Sequence, residues 1–101
     1  MPAYVIVQVD VRDAAVYERY KLLAPASIAA HGGRYIARGG HSEALEGQWD
    51  PCRVVILEFD DVERAKRWLE SPEYREARAL RHASAHTQMI VVDGLPRQTD
   101  R

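Results

Sequence analysis

Cysteine is all but absent, with Cys52 alone in a chain of 101 residues. A single thiol forms no internal disulfide and cannot supply a cysteine-based metal site or a redox pair. No histidine stands near it in sequence to activate it, so Cys52 reads as a small residue at a strand edge. Long apolar runs are missing as well. The opening "MPAYVIVQVDV" has no basic leader and meets Gln8 and Asp10 before a membrane-length segment can form. Neither a signal peptide nor a membrane span is expected, and a cytoplasmic location follows. Neither sign of charge dominates. The 14 Lys plus Arg and 15 Asp plus Glu are interspersed rather than gathered into a basic stripe, which argues against nucleic acid as a partner. His31, His41, His82 and His86 show no HxH or HExxH spacing, so no metal is expected, and no cofactor either.

What is present describes a small globular protein. A hydrophobic share of 47% against 29% charged residues supports a core, and residues 1–95 read as one domain with a flexible tail over 96–101. A domain this small buries a modest fraction of its surface, so self-association is a natural supplement.

Residues 3–11, "AYVIVQVDV", place Val5, Val7, Val9 and Val11 on one parity, which predicts a strand with one apolar face. Asp13 can cap a following helix whose stripe is Val16, Tyr20, Leu23 and Ser27, with a kink or short break expected at Pro25. The segment "AHGGRYIARGGH", residues 30–41, has the look of a phosphate loop, but the order of elements is wrong. Such loops follow a strand and open a helix, whereas here a helix ends at the first glycine pair. Gly32 suits the left-handed position that ends a helix, and Gly39 with Gly40 predict a bulge or bend inside one long strand over 34–46. Residues 47–51 form a turn, and "RVVILEF", 53–59, is the most strand-like stretch of the chain. Asp60 with Glu63 reads as a capping box for a second helix with a Val62, Ala65, Trp68, Leu69 stripe. That helix restarts at "SPEY", where Ser71 can cap and Pro72 fits the first helical position, and its inner face continues through Tyr74, Ala77 and Leu80. Residues 87–94 close the chain as a strand. The order βαββαβ predicts an α+β, ferredoxin-like fold, a four-stranded antiparallel sheet with two helices on one face. The other sheet face, with Tyr4, Ile6, Val54 and Ile56, would then lie in water, and such patches mark interfaces.

Taken in order, "APASIAAHGGRYIARGG", "LEG", "RVVILEF" and "SPEY" resemble the small bacterial domain-of-unknown-function 1330 family over residues 2 to about 95. That resemblance implies the dimeric α+β-barrel superfamily, in which two ferredoxin-like subunits join their sheets into a barrel with helices outside. The superfamily holds cofactor-independent monooxygenases, lactone isomerases, haem-binding enzymes and proteins without known activity. Fold alone therefore assigns no reaction.

Strand parity turns Gln8, Asp10, Arg38 and Glu58 toward the face away from the helices, where an arginine and a carboxylate inside a barrel must pair. One reading makes Arg38 with Glu58 a structural ion pair in a non-catalytic homodimeric binding or stress-associated module. The other makes Arg38 the group that orients a carboxylate or enolate oxygen of a small substrate, with Glu58 or Asp10 as base, in a cofactor-independent isomerase or monooxygenase. Tyr20, His31, His41 and Trp49 are the candidate ligand contacts. His31 also suits the negative end of a helix dipole, and Trp49, in a turn beside Asp50, suits contact with a partner subunit.

Overall fold

A computed structural model describes residues 1–50 and 52–96. Strand β1 (Ala3–Val11) leads into α1 (Ala14–Ala30), then β2 (Arg34–Arg38), β3 (Arg53–Phe59), α2 (Val62–Glu70), α3 (Pro72–Ser84) and β4 (Ala85–Asp93). The four strands pair antiparallel in the order β2-β3-β1-β4, the ferredoxin-like order. The expected tail over 96–101 lies outside the described residues apart from Pro96, as does Pro51 in the expected turn. No helix among the described residues is long and apolar enough to cross a membrane.

The valine parity of β1 decides which way the sheet faces. Val5, Val7 and Val9 are buried against the helices together with Leu57 and Phe59 of β3. Trp68 of α2 is the hub of this core. Its ring lies 4.3 Å from that of Tyr74 on α3 and 5.5 Å from that of Phe59, and its Nε1 donates to Ser27 Oγ on α1 at 3.1 Å. One side chain thus ties three helices to the sheet. Ser71 caps α3 by accepting the Tyr74 N–H, with Pro72 in the first turn, as expected for these residue types.

Several boundaries differ from expectation, each for a physical reason. Helix α1 runs through Pro25 without a break, and its buried residues are Tyr17, Ala24, Ser27 and Ile28, with Leu22 and Leu23 exposed. Apolar residues occupy nearly every face of α1, so spacing alone does not single out one stripe. Asp61, not Asp60, caps α2 by accepting the Arg64 N–H at 2.7 Å, because Asp60 lies in the bend out of β3. Strand β2 stops at Arg38 instead of continuing to 46. Gly39 takes a φ of +68°, a left-handed conformation that leaves the strand, and its N–H makes a closing bond to Val54 O at 2.9 Å. The ladder irregularity expected at Gly39 and Gly40 falls earlier, between Tyr35 and Ala37. Strand β4 starts at Ala85, two residues before its expected start.

Candidate functional site

The irregularity in β2 controls the site. Arg34 stands opposite Glu58 and Tyr35 opposite Leu57, but Ala37 stands opposite Ile56 and Arg38 opposite Val55. Ile36 is therefore an extra residue in the ladder, a bulge that reverses side-chain parity beyond it. Arg34 remains on the open face and forms the ion pair with buried Glu58. Arg38 is turned to the helix side. The expected Arg38 and Glu58 pair is thus not formed, and its place is taken by Arg34. Asp10 does not join them either. It lies exposed at the far end of β1, opposite His86, and pairs with Arg12 at 2.8 Å, while Glu58 stands opposite Tyr4.

On its new side Arg38 meets a need created by Pro25. A helical proline has no N–H, so the carbonyl four residues earlier, that of Lys21, loses its donor. Arg38 Nη2 donates to Lys21 O at 2.9 Å, and its guanidinium lies 4.5 Å from the centre of the Tyr35 ring. A strand side chain thereby completes a helix that would otherwise carry a gap in its ladder. Arg38→Met is expected to cost about 1–2 kcal/mol in unfolding free energy, and to cost clearly less in a Pro25→Ala background, where the N–H of residue 25 serves the Lys21 carbonyl. Additive effects in urea melts of the four proteins would refute this coupling.

Between α1, α3 and the sheet lies a cavity rimmed by Arg38. Its interior offers about 20 Å³, room for one water-sized group, or about 400 Å³ when the space open to solvent at its mouth is counted. Tyr17, Tyr20 and Tyr35 form much of its wall, and Arg38, Arg53 and Arg81 bring three guanidinium groups to it, beside Lys21, whose ammonium pairs with Glu18. Among the described residues lining it there is no carboxylate and no histidine. Arg53 lies over the Tyr17 ring at 5.6 Å, and its buried Nε has no hydrogen-bond partner. Arg81, only 4% exposed, donates through Nε to Tyr74 Oη at 3.2 Å and through Nη1 to Thr87 Oγ1. Burial pushes the Tyr20 hydroxyl far above the ordinary tyrosine pKa, with Tyr74 adding to the effect, and burial raises Tyr35 as well. Both hydroxyls therefore stay protonated at neutral pH. The cavity is a set of donors with no base.

Of the expected ligand contacts, Tyr20 alone lines this cavity. His31 bonds Glu73 at 2.8 Å, joining the end of α1 to the start of α3, and that hydrogen bond holds the Glu73 carboxyl below its usual range. His41 is exposed beside Glu43 at 3.2 Å. Trp49, 57% exposed, borders a shallow cleft with Leu45 and Val54. Arg53 and Arg81 were not singled out from the sequence, although each leaves a trace there. Arg53 shares the parity of Val55 and Leu57, and Arg81 continues the inner face of α3 from Tyr74 and Ala77. A cation on an apolar stripe is the signal.

Comparison with solved structures places the fold among known proteins. A protein of unknown function from Rhodopseudomonas palustris superposes with a TM-score of 0.76 at 23% identity, over 93% of this chain and 82% of that one. SnoaB, a cofactor-independent oxygenase from Streptomyces nogalater, gives 0.63 at 13% identity over 96% of each chain. A dimeric ferredoxin-like protein of unknown function from Jannaschia gives 0.64 at 14% identity, over 93% of this chain and 100% of that one. At such identities the likeness is one of fold. No match was found among curated proteins. The model of the domain of unknown function DUF1330 matches residues 2–95, nearly the whole length, and the chain belongs to that family.

Proposed function

We propose that this protein is a cytoplasmic homodimer that binds a small organic anion at the cavity between helices and sheet, one oxygen of the charged head group seated inside and the remainder passing out beside Arg38. The observation that carries this reading is the lining: three arginines and no carboxylate among the described residues that line the cavity, one of the arginines with a buried Nε that lacks a partner. A buried donor without an acceptor is costly, and an anion would supply one. The small interior suits a carboxylate or enolate oxygen rather than a whole ring. Binding is favoured over proton-abstracting catalysis because that chemistry needs a base at the cavity, and the two hydroxyls raised by burial serve as donors. The oxygenase activity of SnoaB belongs to a protein sharing 13% of its residues and supplies no residue assignment here.

Self-association is supported by the open sheet face. Ile56, Ile6 and Ile90 form one row across β3, β1 and β4, with Val92 and the bulged Ile36 nearby, and Ile90 and Ile36 are 60% and 52% exposed. A continuous apolar strip of this kind calls for a covering surface, and a second copy of the same face is self-complementary.

Titration followed by NMR tests the anion reading. Formate and acetate should shift the signals of cavity residues saturably, whereas acetamide and methylammonium should not. Arg53→Gln should weaken acetate binding by about tenfold or more, the worth of one charge-assisted hydrogen bond. Equal responses to acetate and acetamide, or none to either, would overturn it.

A further inference from the structure

The hydrogen bonds behind the cavity wall have only one satisfactory direction. Arg81 Nε donates to Tyr74 Oη, since a guanidinium has no acceptor, and Tyr74 Oη lies 2.8 Å from Tyr20 Oη. Tyr74 is 0% exposed, so its hydroxyl proton has no water to receive it. Among the described residues the acceptor within its reach is Tyr20 Oη. Were Tyr20 the donor instead, the oxygen of Tyr74 would accept twice and its own proton would be stranded in the core. The order is therefore Arg81 to Tyr74 to Tyr20. The proton of Tyr20 is left over, and Tyr20 is the member of this relay that, with Arg81, lines the cavity.

We infer that Tyr20 is the residue that reads the ligand, its hydroxyl donating to an acceptor oxygen of an anion in the cavity, and that Arg81 and Tyr74 act as positioning residues that fix the direction of that donor. This inference rests on the anion reading above and deepens it. A cation at the head of the relay polarises each hydroxyl in turn, so the last proton is a better donor than an isolated tyrosine would provide. The consequence is selectivity. An oxygen with lone pairs is accepted at this point, while a ligand presenting N–H there meets a donor facing a donor.

The relay can be examined with no ligand at all. In protein carrying tyrosine labelled with carbon-13 at Cζ, in mixed light and heavy water, Tyr74 should give two resolved isotope-shifted signals because its hydroxyl exchanges slowly, and Tyr20 one averaged signal. The opposite pattern overturns the inference. With acetate as the probe, Tyr20→Phe should lower affinity about tenfold and Tyr74→Phe by a smaller factor, about threefold, because the donor survives without its guide. Acetate bound by Tyr20→Phe as tightly as by the wild type would overturn the role of Tyr20 and leave the anion reading standing. A wild type that binds no acetate would overturn both. Since Tyr20→Phe also removes the acceptor for a buried proton, its melting temperature is measured alongside, and the exchange pattern of the wild type decides the matter if that variant does not fold.

Discussion

Ile6→Glu is expected to turn the protein into a monomer that keeps its fold, with a scattering mass of 11.5 kDa where the wild type gives twice that value. Ile6 sits at the centre of the open face, between Ile56 on β3 and Ile90 on β4. In an isolated subunit its side chain is half-buried on the open face and outside the buried core, so a carboxylate there costs less than it would at Val5 or Val7. In a two-fold dimer each substitution appears twice, and two carboxylates are taken out of water near one another. The penalty for burying such a group unpaired is several kcal/mol, so association should weaken by more than about a hundredfold. A variant that remains dimeric would show that the sheets are not joined through this face. A variant that unfolds would show that Ile6 serves the core of the subunit, against the burial of Val5 and Val7 on the opposite parity.

Trp68→Ala is expected to lower the unfolding free energy by about 3–5 kcal/mol, the range for deleting a large buried aromatic. For a domain whose total is about 5–15 kcal/mol, that is a large share of its stability. The ring is 1% exposed, it packs on Phe59 and Tyr74, and its removal also leaves Ser27 Oγ without the Nε1 donor. Trp68→Phe separates these effects. It keeps much of the packing and loses the hydrogen bond, and should cost about half as much or less. Chemical denaturation of the three proteins measures both values. A loss below about 1 kcal/mol for Trp68→Ala would mean that α2 is not the clamp its contacts make it.

Strands β1 and β3 are legible from sequence to the residue because their signals are local. Four valines on one parity and the run "RVVILEF" leave no competing reading. Ser71 followed by Pro72 marks the start of α3 in the same way. The end of β2 is harder. Gly39 and Gly40 announce an irregularity, yet the bulge falls at Ile36, where no residue type marks it, since a bulge of this kind depends on how two strands pair. That one residue accounts for the misplaced site. Counting parity from Arg34 sends Arg38 to the open face, whereas the ladder sends it to the helix side, beside a carbonyl that Pro25 left vacant. Proline, arginine and tyrosine were each visible in the sequence. Their conjunction was not, because residues 21, 25 and 38 meet only once the helix is laid on the sheet.

The five residues of β2 therefore place one arginine in each of two compartments. Arg34 holds Glu58 on the face proposed for self-association, and Arg38 holds Lys21 at the rim of the cavity. Under the anion binding proposed above, a ligand that engages Arg38 acts on the same short strand that carries Arg34, across the bulge at Ile36. Thermodynamic linkage makes such a connection run equally in both directions. On the proposed reading of cavity and dimer, whatever free energy occupancy lends to pairing of the subunits, pairing returns to occupancy, and anion affinity measured at several protein concentrations would reveal it.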